Sequence, residues 1–95
     1  MPGASAISRA LEDDAQIIIT GRVVDSALVL GALVYEHKWM YDDFDQLAQG
    51  CLAGHIIECG AQCTGGNFTD WQKVASSFSD MGFPIVEVEE NGVFI

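Results

Sequence analysis

Ile17, Ile18 and Ile19 stand side by side between Gln16 and Thr20, and three consecutive β-branched side chains have few places to go. β-Branching restricts χ1 and favours extended backbone. Successive side chains of a strand point to opposite faces, so an uninterrupted apolar run fits a strand covered on both sides. That is the situation of a parallel sheet with helices above and below. The flanking segments fit the same picture. Ile7 and Leu11 lie four apart, and Ala4 and Ala15 extend their stripe, so residues 4–15 read as a short helix with Pro2 and Ser5 near its start. Glu12, Asp13 and Asp14 oppose the dipole at its end, where it should fray or stop. After Gly21, Asp25 is placed to cap a helix over residues 26–38 that Leu28, Val29, Leu30, Leu33 and Val34 make apolar on most sides.

The second half of the chain is less regular. Asp42 or Asp43 caps a helix that runs to about residue 62, and Gly50, Gly54 and Gly60 in it demand a packing or functional reason. Residues 64–70 compose a loop, and residues 71–78 a short helix or turn. Residues 85–90 alternate like a half-exposed strand, Asn91-Gly92 is a hairpin signal, and residues 93–95 are the return arm. The fold class expected is α/β: a partial, incomplete sheet with flanking helices plus a C-terminal β-hairpin, in one partial domain over residues 1–95. The isoleucine strand has too few neighbours in this chain, so the expected remedy is the remainder of a larger domain or a partner, including a second copy. The alternative is a complete small α/β domain with a three-stranded sheet.

Charge narrows the function classes. Four Lys and Arg against fourteen Asp and Glu give a net charge of −10, which argues against nucleic acid and against an anionic membrane surface. The longest mostly apolar run, residues 27–35, is too short to span a bilayer. No basic segment precedes an apolar one near Met1, so no secretory signal is expected. Three cysteines is an odd number, and reduced thiols of a cytoplasmic protein are the expectation.

Three stretches could carry chemistry. Thr20-Gly21-Arg22-Val23-Val24-Asp25-Ser26 follows the expected strand and precedes a helix. There the backbone N–H groups and the Arg22 guanidinium could hold a carboxylate or phosphate. The simpler reading is that Asp25 is a cap and Arg22 its ion pair. In the second stretch His55, Glu58 and Cys59 share a helical face at i, i+3 and i, i+4. His55 could be a base oriented by Glu58, or Cys59 a nucleophile whose pKa His55 lowers. Zinc on these residues with Cys51 or Cys63 is disfavoured, since no C-x-x-C pair is present. The structural reading is a satisfied histidine and a small apolar filler. In the third stretch Gln62 leads into Thr64-Gly65-Gly66-Asn67, where two glycines could form an N–H nest for an anion, a mobile cover, or an ordinary turn. Asp42, Asp43 and Asp45 read as helix caps rather than a cation site.

Taken together, residues 21–27, 53–62 (Ala-Gly-His-Ile-Ile-Glu-Cys-Gly-Ala-Gln) and 64–68 (Thr-Gly-Gly-Asn-Phe) resemble the acyclic terpene utilisation (AtuA) family, in its N-terminal domain. The similarity covers nearly the whole chain. It implies that this chain is a fragment of a longer family protein, with both ends resembling interior family segments. It implies a cytoplasmic protein associated with breakdown of terpenes such as citronellol and geraniol, through acyl-CoA thioesters. Arg22, Asp25, His55, Glu58, Cys59, Gln62, Gly65, Gly66 and Asn67 fall on motif positions, whereas Cys51 and Cys63 do not. The resemblance brings no defined reaction and no cofactor. Two readings stay open. In one, an enzyme fragment binds a branched acyl-CoA or related carboxylate. Gly21, Arg22, Asp25, Ser26, Gln62, Gly65, Gly66 and Asn67 contact the substrate, and His55, Glu58 and Cys59 do the chemistry. In the other, the chain is a non-catalytic binding or assembly module, or a truncated product without independent function.

Overall fold

The structure is a computed structural model, and it describes residues 3–95. Pro2, expected near the start of the first helix, lies outside the described residues. Three α-helices carry the architecture: α1 (Ala4–Glu12), α2 (Ala27–His37) and α3 (Phe44–Glu58). Three short 3-10 segments follow, Gly60–Thr64, Trp71–Lys73 and Ala75–Asp80. Among the described residues there is no strand and no sheet. The expected α/β class, with its partial sheet and C-terminal hairpin, is therefore replaced by a helical arrangement.

The physical reason lies in what surrounds the isoleucines. Residues 17–20 adopt no regular secondary structure, and Ile17 and Ile19 are 83% and 92% exposed. None of Ile17–Ile19 makes a backbone hydrogen bond to another described residue. A strand exists only when a neighbour completes its ladder, and the other candidate strand, at residues 85–90, is engaged elsewhere. That segment folds back onto α2 and α3. The buried Trp39 donates its indole N–H to the Glu90 carbonyl at 2.6 Å, Val88 packs against the core, and Gly92 lies against Gln46 and Gln49.

The C-terminal turn differs from the one expected at Asn91-Gly92. A two-residue type I′ hairpin needs positive φ at both central residues, and of that pair Gly92 alone has it, at +88°. The chain instead turns over Glu89–Gly92, with the Gly92 N–H bonded to the Glu89 carbonyl at 2.9 Å. The two arms meet in one isolated antiparallel bridge, Val88 to Phe94.

The helices end as their residues dictate. α1 stops at Glu12, inside the acidic run. The Ala15 N–H reaches the Ala10 carbonyl and the Asp14 N–H the Leu11 carbonyl, both at 3.0 Å. This is the double bond of a Schellman cap, with Asp14 in the left-handed region at φ 60° where glycine is usual. At α2 the N-cap position falls to Ser26, not Asp25, and the Ser26 side chain makes no capping hydrogen bond. Asp43 precedes α3 without capping it, because its carboxylate turns back to accept the Met40 N–H at 2.9 Å. α3 ends at Glu58, short of residue 62, and Gly60 with φ +55° starts the 3-10 continuation.

α2 is the central helix and packs against α1 on one side and α3 on the other. The core cluster is Ala4, Ala27, Leu30, Val34 and Trp39, with Val23, Leu33, Leu47, Cys51 and Val88 packed against it. Gly31 lets α1 ride directly over α2: a β-carbon there would stand 2.7 Å from Ile7 Cβ and 2.8 Å from the Ala4 carbonyl oxygen. The chain does not close around this core. Its radius of gyration is 15.5 Å, against about 12 Å for a compact domain of this length. Its accessible surface is 6740 Å², against roughly 5300 Å² for a folded monomer of its mass.

Candidate functional site

A hollow of about 540 Å³ opens where the start of α2 meets the last turns of α3, lined by Arg22, Val23, Val24, Asp25, Ser26 and His55. Gly54 sets this meeting. A β-carbon at Gly54 would lie 3.0 Å from both the β-carbon and the carbonyl oxygen of Ser26, and 3.1 Å from Val29 Cβ. The absence of a side chain brings α3 against the first turn of α2 and carries His55 to the rim beside Ser26. The sequence marks Gly54 as a glycine that needs a packing or functional reason, but it does not single out Val23 and Val24 as lining residues. Their apolar character pointed to packing, which is also Val23's role.

Arg22 is 92% exposed and its guanidinium stands 3.9 Å from the Asp25 carboxylate, which is itself half exposed. An exposed pair at that separation is weakly held, so the guanidinium can turn to another anion. The α2 N-terminus beside it contributes the positive end of the helix dipole. Gly21 is exposed with open space around it, and its φ lies outside the left-handed region.

His55 is exposed and makes no hydrogen bond or ion pair with the described residues. Glu58 does not orient it. The Glu58 carboxylate accepts the Cys59 thiol proton at 2.7 Å. That bond, followed by desolvation and the nearby charges of Glu58, Asp25 and Cys63, pushes the exposed Cys59 thiol above its ordinary range. Lowering by His55 would produce the opposite sign, so Cys59 is held as a neutral thiol rather than an activated thiolate. The expected triad of His55, Glu58 and Cys59 is thus a carboxylate–thiol pair with an imidazole apart from it.

Gln62 is exposed on the first 3-10 segment. The paired glycines do not join the hollow. The N–H groups of Gly65 and Gly66 both point to the Ala61 carbonyl, Gly66 at 2.8 Å, so neither is turned out toward an anion. A β-carbon at Gly66 would lie 2.8 Å from that same oxygen, and Gly65 has φ +123°; these glycines make the turn. Gly65 lines a different hollow, with Thr64 and Phe68 among others, and Asn67 is exposed nearby. The three stretches therefore do not border one site: the arginine turn and His55 do, and the double glycine stands apart.

Cys51, Cys59 and Cys63 form no disulfide. Among the described residues no group of three or more His, Cys, Asp or Glu is arranged to hold a metal ion, and no helix is long and apolar enough to cross a membrane.

The class defined by this fold and hollow is a small helical unit with an exposed arginine turn and with apolar segments left uncovered. The chain belongs to the acyclic terpene utilisation family: the model of the acyclic terpene utilisation family protein AtuA matches residues 2–95. Membership implies a role in acyclic terpene utilisation. No curated protein and no solved structure matches the chain.

Proposed function

We propose that this chain is one part of a larger acyclic terpene utilisation protein, and that its Arg22–His55 hollow binds a branched acyl-CoA or related carboxylate. The observation that carries the reading is the convergence of an exposed guanidinium, a helix N-terminus and an imidazole on one 540 Å³ concavity, within the size range of small-molecule sites. Arg22 and the first turn of α2 take the anionic group, Val23 and Val24 offer apolar contact, and His55 moves a proton at the rim. Glu58 acts on this site through its charge and not as a base, and the neutral Cys59 thiol bonded to it does not act as a nucleophile. The three thiols support a reducing, cytoplasmic setting.

The exposure of Ile17 and Ile19, at 83% and 92%, favours a contribution to assembly beside the binding role: these side chains belong under cover that the described residues do not supply.

Thermal-shift titration tests the binding reading. A branched acyl-CoA raises the melting midpoint and R22A removes most of the shift, because a charge-assisted contact of about 1.5–3 kcal/mol is lost. An unchanged shift in R22A and H55A would overturn it. A melting midpoint that rises with protein concentration supports self-assembly as the cover, and one that does not leaves the remainder of the protein to provide it.

A further inference from the structure

The second hollow, of about 410 Å³, lies among the 3-10 segments and shares no lining residue with the first. Phe68, Val74, Phe78 and Met81 give it apolar walls, and Thr64, Ser77 and Asp80 are its polar side chains. The two hydroxyl protons are already committed within the chain. Thr64 Oγ1 has the carbonyls of Ala61 and Gly82 within reach and gives its proton to one of them, and Ser77 Oγ donates to the Val74 carbonyl at 2.8 Å. A hydroxyl that has given up its one proton presents lone pairs alone, and an ionised carboxylate does the same. No Lys, Arg or His lines the hollow, so every polar side chain in it is an acceptor.

Such a wall selects its ligand. A carboxylate or phosphate would meet the like charge of Asp80, within a chain of net charge −10, and would find no side-chain donor. A group with several N–H donors and a positive charge satisfies the carboxylate and both hydroxyl oxygens together. Aromatic faces add attraction for a cation. We propose that this hollow binds an organic ammonium ion, its apolar body among Phe68, Phe78 and Met81 and its head group on Asp80, Thr64 and Ser77. The inference is independent of the anion site at Arg22, and each can fail without the other.

The test is an amide-resolved NMR titration of the whole chain at physiological ionic strength with hexylammonium, hexanol and hexanoate, which differ only in the head group. Hexylammonium moves the amide signals of Gly65, Ser77 and Gly82 saturably. Hexanol binds at least tenfold more weakly, and hexanoate leaves these signals in place. D80N weakens hexylammonium binding by roughly tenfold or more, as loss of a charged hydrogen-bond partner does. D70N removes the same charge from an exposed pair with Lys73 outside the hollow, and leaves the affinity unchanged. F78L keeps an apolar wall without the ring, so it weakens hexylammonium while hexanol is unaffected. The proposal is overturned if the three compounds bind alike, if D70N and D80N act equally, or if the moving signals lie elsewhere on the acidic surface.

Discussion

Replacing Gly31 by alanine tests whether α1 and α2 are packed as closely as the structure has them. On an isolated helix the change would stabilise by about 1 kcal/mol, since alanine is the better helix former. Here the new methyl would stand 2.7 Å from Ile7 Cβ and 2.8 Å from both Ile7 Cγ2 and the Ala4 carbonyl oxygen. Neither a β-carbon nor a backbone carbonyl can swing away by changing rotamer, so α1 must move as a body. Overpacking of this kind costs about 1–3 kcal/mol, and a backbone obstacle places it in the upper part of that range. The net expectation is a destabilisation of about 1–2 kcal/mol. For a domain of this size each kcal/mol lowers the melting midpoint by roughly 4–8 °C, so the loss is roughly 4–16 °C by far-UV circular dichroism. Gly21, with open space around it, is the matched control: G21A should stabilise by about 0.4–1 kcal/mol by restricting the unfolded chain. If G31A melts at or above the wild-type temperature, the close α1–α2 contact is wrong, and so is the account of the core built on it.

Three further outcomes follow from local geometry. D14G relieves a left-handed aspartate and removes a carboxylate from the C-terminal end of α1, so a gain of about 0.5–1 kcal/mol is expected in urea unfolding; a loss would contradict the Schellman assignment. E58Q removes the charged acceptor that holds the Cys59 proton. With C51S and C63S as background, the pH midpoint for alkylation of Cys59 falls, and the rate at a fixed pH below it rises; a midpoint that rises would reverse the stated cause. W39F deletes the indole donor to the Glu90 carbonyl and is expected to cost about 1–2 kcal/mol. The amides of Glu89 and Ile95, bonded across the C-terminal turn, then exchange faster with solvent, and unchanged exchange would show that Trp39 does not hold this segment.

The helices were legible because their signals are local. The stripe of Ile7 and Leu11, the apolar run after Asp25 and the aspartates before Phe44 place α1, α2 and α3 within a few residues of where they lie. The sheet was misread because a strand is not a local object. Ile17–Ile19 have the right side chains, but a ladder needs a second row of N–H and C=O groups. The candidate row near the C-terminus is bound to Trp39 and α3 instead. The hairpin failed on one dihedral, since Asn91 stays out of the positive-φ region that a two-residue turn requires. In the site, Arg22 and His55 line one hollow because Gly54 lets α3 approach the start of α2, a packing event that residue types on separate segments suggest but do not specify. The pairing of Glu58 with Cys59 rather than His55 was hidden because adjacent residues on a helix do not ordinarily face each other; α3 ends at Glu58, and the irregular backbone after it brings them together.

The uncovered isoleucines also bear on how the chain stays dispersed. Bare β-branched segments with unsatisfied main-chain groups stick edge to edge, and proteins commonly set charged gatekeepers beside them. Glu12, Asp13 and Asp14 stand immediately upstream of this one, on a molecule carrying ten excess negative charges. Mutual repulsion is then the colloidal guard, and it is only as strong as the ionisation behind it. Acidification toward the isoelectric point near 4.1, or concentrated salt, lowers the guard while leaving the sticky edge in place, and light scattering should rise steeply there.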